Sequence, residues 1–252
     1  MHSPIPRLLL PLIWLLLSTL GACRQSPHTT PAETPSTDTC LAPPPTRLAD
    51  TPTESRLRAH GLVDVQEVDP TIQVHLVYAT ARNFTDHILY TDIHKAFMLP
   101  QLADKLAAAQ RQLHRSHPHL SLLVLDAARP LSIQRQMFHL VQGTPLNIYV
   151  SNPLHGPGLH NYGAAVDITL VDSLGHWLPM GSDFDHFGPE SHIRNESQLL
   201  ADGRITQQEY HNRQLLRSLM QQQGLQPLYS EWWHFNLMSR SRARQLLKPI
   251  NF

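Results

Sequence analysis

The sequence predicts an α+β domain, a mostly antiparallel sheet flanked by helices, preceded by an N-terminal segment that does not belong to the fold. Three observations predict it. Strand-like and helix-like stretches are interspersed without a regular strand–helix–strand repeat. Residues 100–117 carry apolar side chains at three–four spacing, and 120–125 is an unbroken apolar run. Of the 252 residues, 41% are hydrophobic and 16% charged, an ordinary folded composition. Basic and acidic residues both number 20, so no net field draws the chain to nucleic acid or to an anionic membrane surface.

Residues 1–22 read as an export signal: Arg7 gives a positive flank, and Leu8 to Leu20 is apolar but shorter than a membrane span of about 20 residues. Leu20-Gly21-Ala22-Cys23 resembles the lipobox of bacterial lipoproteins, which implies lipidation of Cys23 and membrane contact through that anchor alone. Arg24 after the cysteine, rather than an aspartate, favours the outer membrane by the same resemblance, so a periplasmic lipoprotein of the bacterial envelope is expected. Cys40 is the only other cysteine, so no disulfide staples the domain. Residues 23–55 are rich in Pro, Thr and Ser and cannot bury enough apolar area to offset chain entropy, which predicts a tether.

The folded domain is expected over 56–252. Partial alternation predicts strands at Val63–Val68 and Ile72–Tyr78, and the apolar run a buried strand at Leu120–Leu125. An amphipathic helix fills 100–117, and a shorter one runs from Ser132, as N-cap, to Val141. Gly163 to Asp172 alternates as a strand, with a turn at Ser173-Leu-Gly175 leading back through His176–Leu178. Thr206 and Glu209 form a capping box opening a helix that stops at Gly224, and a last strand covers Trp233–Leu237.

Two short motifs carry the chemistry. His160 and Asp167 lie seven apart, and Glu231 precedes His234 by three residues. Two imidazoles and one carboxylate suit a zinc ion that keeps a fourth position open, one ion per chain, and Glu231 suits a general base. Seven residues on one strand would put His160 and Asp167 on opposite faces, so His160 must sit on a turn that folds back. Glu231 must likewise lie at a strand entrance or on a bulge. His155, His186 and His192 are near enough in sequence to support the ligands, His192 foremost.

The pattern Gly158-Leu-His160-Asn-Tyr-Gly163-Ala-Ala165-Val-Asp167, with Glu231-Trp-Trp-His234, resembles the zinc D-alanyl-D-alanine dipeptidases of the VanX type, within the wider group of zinc D-Ala-D-Ala peptidases. Tyr78-Ala-Thr80, Asn83-Phe-Thr85, Asp126-Ala-Ala-Arg129-Pro130, Pro179 to Asp185 and Ser191-His192 extend the likeness, which spans roughly Tyr78 to Phe235. It implies that His160, Asp167 and His234 bind zinc and that Glu231 is the catalytic base. It further implies that Arg129 stabilises the negative oxygen, and that Asp185 and Tyr78 line the pocket near the substrate's amino end. Hydrolysis of D-Ala-D-Ala is the activity implied. The alternatives are a carboxypeptidase or endopeptidase acting on peptidoglycan stem peptides, and a wall-binding lipoprotein that keeps the zinc fold without turnover.

One departure stands out. The family's serine two residues before the first ligand is Gly158 here, and its usual Ser-Arg is Asn161-Tyr162. The departure leaves the zinc chemistry implied by the resemblance untouched and bears on the contacts to the substrate carboxylate and so on dipeptide selectivity, since Asn-Tyr-Gly after the histidine also occurs in related endopeptidases and carboxypeptidases of the wider group. Met180-Gly-Ser-Asp-Phe-Asp185 belongs with the dipeptidase branch.

Overall fold

The computed structural model describes residues 48–252, so Cys23, Cys40 and the export and lipidation signals lie outside the described residues. Residues 51–55, read from composition as the end of a tether, instead open a helix. In α1 (Pro52–Ala59) the Thr51 hydroxyl accepts from the Glu54 amide, and the Glu54 carboxylate accepts in return from the Thr51 amide. Two groups that a helix start leaves unpaired are thereby satisfied. Asp50 ties the entry down through Arg58 and Lys95.

The expected strand 63–68 is broken by its own chemistry. β1 (Val63–Asp64) is two residues long, because the Asp64 carboxylate caps the Gln66 amide and turns Val65–Val68 into a short helix, α2. Of 72–78, only β2 (Gln73–Val74) is strand, and Val77–Ala79 is a 3-10 turn. β3 (Phe97–Met98) pairs antiparallel with β1. α3 (Pro100–Ser116) and β4 (Leu120–Asp126) follow the predicted limits closely. α4 (Leu131–Val141) begins one residue before the expected cap at Ser132, and no side chain caps it. The amide of Leu131 donates instead to the carbonyl of Ile250, so the C-terminal segment meets that need.

β5 (Ala165–Asp172) is the central strand, and the predicted hairpin survives as a single bridge between Val171 and Trp177 beyond it. α5 (Glu196–Ala201), which no pattern announced, precedes α6 (Gln207–Gln222). The Thr206–Glu209 capping box of α6 is formed reciprocally. β6 (Gln226–Leu228), β7 (Glu231–Asn236) and α7 (Arg240–Leu246) complete the chain.

The main sheet has the order β2-β4-β5-β7-β6, antiparallel except for the β2–β4 pair. The fold is α+β, as the sequence predicts. Leu122, Val124, Val166, Ile168, Leu170 and Phe235 join Leu102, Leu106, Leu216 and Met220 of α3 and α6 in one core. Alternation sends the neighbouring residues to the other face, where Leu123, Leu125 and Val171 form a smaller cluster. Asp167, between Val166 and Ile168, falls on that second face. Among the described residues no helix is long and apolar enough to cross a membrane.

Candidate metal centre and active site

Strand register assembles the site. Asp167 on β5 is paired directly with His234 on β7, so the two side chains stand side by side on one face. Asp126 pairs with Asp167 from the other side, after a bulge in β4, making a row of three polar residues across three strands. His160 comes from a 3-10 turn, His160–Tyr162, that ends at Gly163 with φ 65°. A side chain at Gly163 would place Cβ 2.7 Å from Leu62 Cδ2, so both conformation and space demand glycine there. The turn delivers His160 over the sheet, with Nε2 3.4 Å from Asp167 Oδ1.

Three ligand atoms converge. His160 Nε2 is 3.2 Å from His234 Nδ1, and His234 Nδ1 is 2.9 Å from Asp167 Oδ1. A tetrahedral ion with ligands at about 2.0–2.1 Å would space them about 3.3 Å apart, so these distances describe one face of such a polyhedron. The hydrogen bonds outside the triangle agree. His160 Nδ1 donates to the carbonyl of Ala127 at 2.7 Å, and His234 Nε2 donates to Asn236 Oδ1 at 2.8 Å. With His234 Nδ1 deprotonated, both imidazoles would turn lone pairs toward a carboxylate oxygen, an arrangement of three electron-pair donors that a cation satisfies.

The electrostatics say the same. Burial opposes charge on Asp167, but His160 and His234 outweigh it and hold the carboxyl well below the usual range. Burial also opposes a proton on His234, yet the hydrogen bond and charge of Asp167 lift it to about 9. The site attracts positive charge strongly.

Glu231 sits at the mouth of β7, opposite Leu228, where β6 shifts register. Its Oε2 is 3.8 Å from His234 Nδ1, and burial pushes its pKa up against the pull of His234. Arg129 lies in the loop after β4. Its guanidinium donates to Asp126 and, at 3.0 Å, to Gln134 Oε1, while its buried Nε has no partner. Nη1 also contacts Met137 Sδ at 3.4 Å, so Asp126, Gln134 and Met137 engage both terminal nitrogens of Arg129 and leave the Nε–H unused. Tyr78 Oη donates to both oxygens of Asp185 at 3.1 Å, and Asp185 is held at φ 60°. Burial and the charge of Asp167 raise Asp185 well above the usual carboxylate range.

The seven residues predicted for the active site, Tyr78, Arg129, His160, Asp167, Asp185, Glu231 and His234, line one cleft of about 370 Å³. The three supporting histidines do not join them. His155 and His192 are exposed, and His186 faces Glu190 at 3.1 Å. The outer partners of the ligands are instead the Ala127 carbonyl and Asn236. Sequence reasoning missed Asn236, although a residue two along a strand from His234 shares its face. It also missed Gln134, which buttresses Arg129, and the stacked pair Tyr149–Phe187 at the cleft, 4.5 Å between ring centres.

A family model described as D-Ala-D-Ala dipeptidase, peptidase family M15, matches residues 58–250. A D-alanyl-D-alanine dipeptidase of Escherichia coli is 33% identical over 180 residues, 70% of this chain and 84% of that protein. A Synechocystis protein of the same name is 32% identical over 52% of this chain and 65% of its own length. One from Enterococcus faecium is 39% identical over 31% of this chain and 36% of its own.

Proposed function

This chain belongs to the M15 family of D-Ala-D-Ala dipeptidases, and from that premise we propose that it is a zinc dipeptidase releasing two D-alanines from D-alanyl-D-alanine. The observation that carries the reading is the convergence of His160 Nε2, Asp167 Oδ1 and His234 Nδ1 beside Glu231 and Arg129 in one cleft. A zinc ion held by those three residues would supply a Lewis acid and hydroxide at neutral pH.

The chain's own groups do the rest. Glu231 accepts the proton of the attacking water and passes it to the departing amine, a task that its raised pKa suits. Arg129 stays charged because Asp126 offsets the cost of burial, and it aims positive charge where the peptide oxygen becomes negative. Asp185, braced by Tyr78, receives the substrate's ammonium end. The cleft of about 370 Å³ fits a small peptide.

The placement of the enzyme in the envelope, as an outer-membrane lipoprotein acylated at Cys23, is supported by the sequence pattern alone. Incorporation of a labelled fatty acid that disappears in Cys23→Ala is the expected result. For the activity, purified protein incubated with D-Ala-D-Ala should release D-alanine, and a chelator should stop it until zinc is restored. Cleavage of a stem pentapeptide without cleavage of the dipeptide would replace this reading with a carboxypeptidase. Hydrolysis of neither by zinc-loaded protein would leave a wall-binding lipoprotein.

A further inference from the structure

Position 158 has no side chain, but the space beside it holds a hydroxyl. A Cβ built at Gly158 would meet Asn161 Oδ1 at 3.6 Å and Ser151 Oγ at 3.8 Å, both ordinary contacts. Ser151 is exposed and lines the cleft, and among the described residues no hydrogen bond engages its hydroxyl. Its backbone is fixed, since the Ser151 carbonyl accepts from Gln134 Nε2 at 3.0 Å. The loop is pinned a second time by Arg240, which also lines the cleft and donates to the carbonyls of Gly156 and Pro157 at 3.0 and 2.9 Å.

Charge divides the cleft. Asp185 is joined to Tyr78, whose ring carries the Arg129 guanidinium at 5.0 Å, and Arg129 is joined through Gln134 to Ser151. Asp185, Tyr78, Arg129, Gln134 and Ser151 thus form one connected chain of contacts, and all five line the cleft. The Asp185 carboxyl, an acceptor for an ammonium group, begins that chain, and the uncommitted Ser151 hydroxyl closes it, with the Arg240 cation lining the same cleft. A dipeptide with free termini is a zwitterion spanning one peptide bond. It is complementary to this chain of contacts in one direction only, ammonium toward Asp185 and carboxylate toward Ser151.

We propose that Ser151 binds the terminal carboxylate of the substrate, supplying from the loop before Gly158 the hydroxyl that position 158 lacks. The proposal rests on the dipeptidase reading and makes Ser151 a specificity-determining residue for that reaction. Ser151→Ala in the full chain should raise KM for D-Ala-D-Ala about tenfold or more, the worth of a hydrogen bond to a charged group, with kcat little changed. KM for D-alanyl-D-alanine amide, which has no terminal charge, should stay where it is. Because the backbone at 158 accepts a side chain, adding Gly158→Ser to Ser151→Ala should restore KM for the free acid. An unchanged KM for the free acid in Ser151→Ala overturns the proposal, as does an equal rise for acid and amide. Calorimetric titration with D-Ala-D-Ala, run on proteins that also carry Glu231→Gln so that the dipeptide is not consumed, separates the two readings. Wild-type protein that hydrolyses neither substrate removes the dipeptidase reading. Equal affinity for the dipeptide with and without Ser151→Ala removes Ser151, and a tenfold weaker affinity in the variant supports it.

Discussion

Glu231 is poised between two demands. As the proposed base it must be basic enough to take a proton from water and still ionised near neutrality, and burial at the entrance of β7 raises its pKa in that direction. Glu231→Gln keeps the shape and removes the base. It should lower kcat by about 10²–10⁴ while metal analysis finds the ion still bound, since the ligand atoms are those of other residues. Retained turnover in a metal-loaded variant would take Glu231 out of the mechanism. The convergence of His160, Asp167 and His234 was legible in the sequence because metal chemistry restricts the residue types and the spacing forced a turn at His160. The outer partners were not. His155, His186 and His192 lie close in sequence but are carried elsewhere by their loops, whereas Asn236 and the Ala127 carbonyl reach the ligands through strand register and loop packing.

The turn 160–163 shows how a local element sets the site. Gly163 needs a left-handed backbone, and its carbonyl also accepts from the Leu99 amide at 2.9 Å. Gly163→Ala pays about 1–2 kcal/mol for the conformation alone, and the new Cβ would press on Leu62 besides. A lower denaturant midpoint together with weaker metal binding is expected. A loss of stability with undiminished metal affinity would show that the turn does not aim His160. At α1, Asp50 is held at about 2 by hydrogen bonds from Arg58 and Lys95. Its folded pKa lies below the unfolded 3.8, so the stabilisation is complete above 3.8 and fades as pH falls toward 2. For so exposed a cluster it is worth under about 1 kcal/mol. The gap between wild type and Asp50→Asn in acid unfolding should therefore close between about pH 4 and pH 2, and a gap independent of pH would refute the linkage. Long periodic elements such as α3, β4 and β5 were readable in advance, because burial over many residues leaves a pattern. The strands predicted over 63–68 and 72–78 were not, since capping by Asp64 and two-residue pairings leave no period to detect.

Three separate stretches, 126–130, 158–167 and 231–236, meet at the row Asp126, Asp167 and His234. A cation bound there cross-links β7 to β5 and the turn before it, and only that turn and β5 are adjacent in the unfolded chain. The unfolded chain offers no such preformed set, so the ion binds the folded state preferentially and its binding energy becomes folding energy. Without it, His234 takes a proton to satisfy Asp167, as its rise to about 9 implies, but one proton bonds two groups where an ion would hold three. At an ion concentration a hundredfold above Kd the stabilisation is about 2.7 kcal/mol. For a domain of this size that corresponds to roughly 5–10 °C in Tm. Chelation should lower Tm by that amount, and zinc should restore it in a concentration-dependent way. Asp167→Asn removes the charge that draws the ion, so its Tm should respond to neither chelator nor zinc. If metal analysis finds the ion stripped while the wild-type Tm stands still, the three stretches are held together by packing alone and the ion contributes only chemistry.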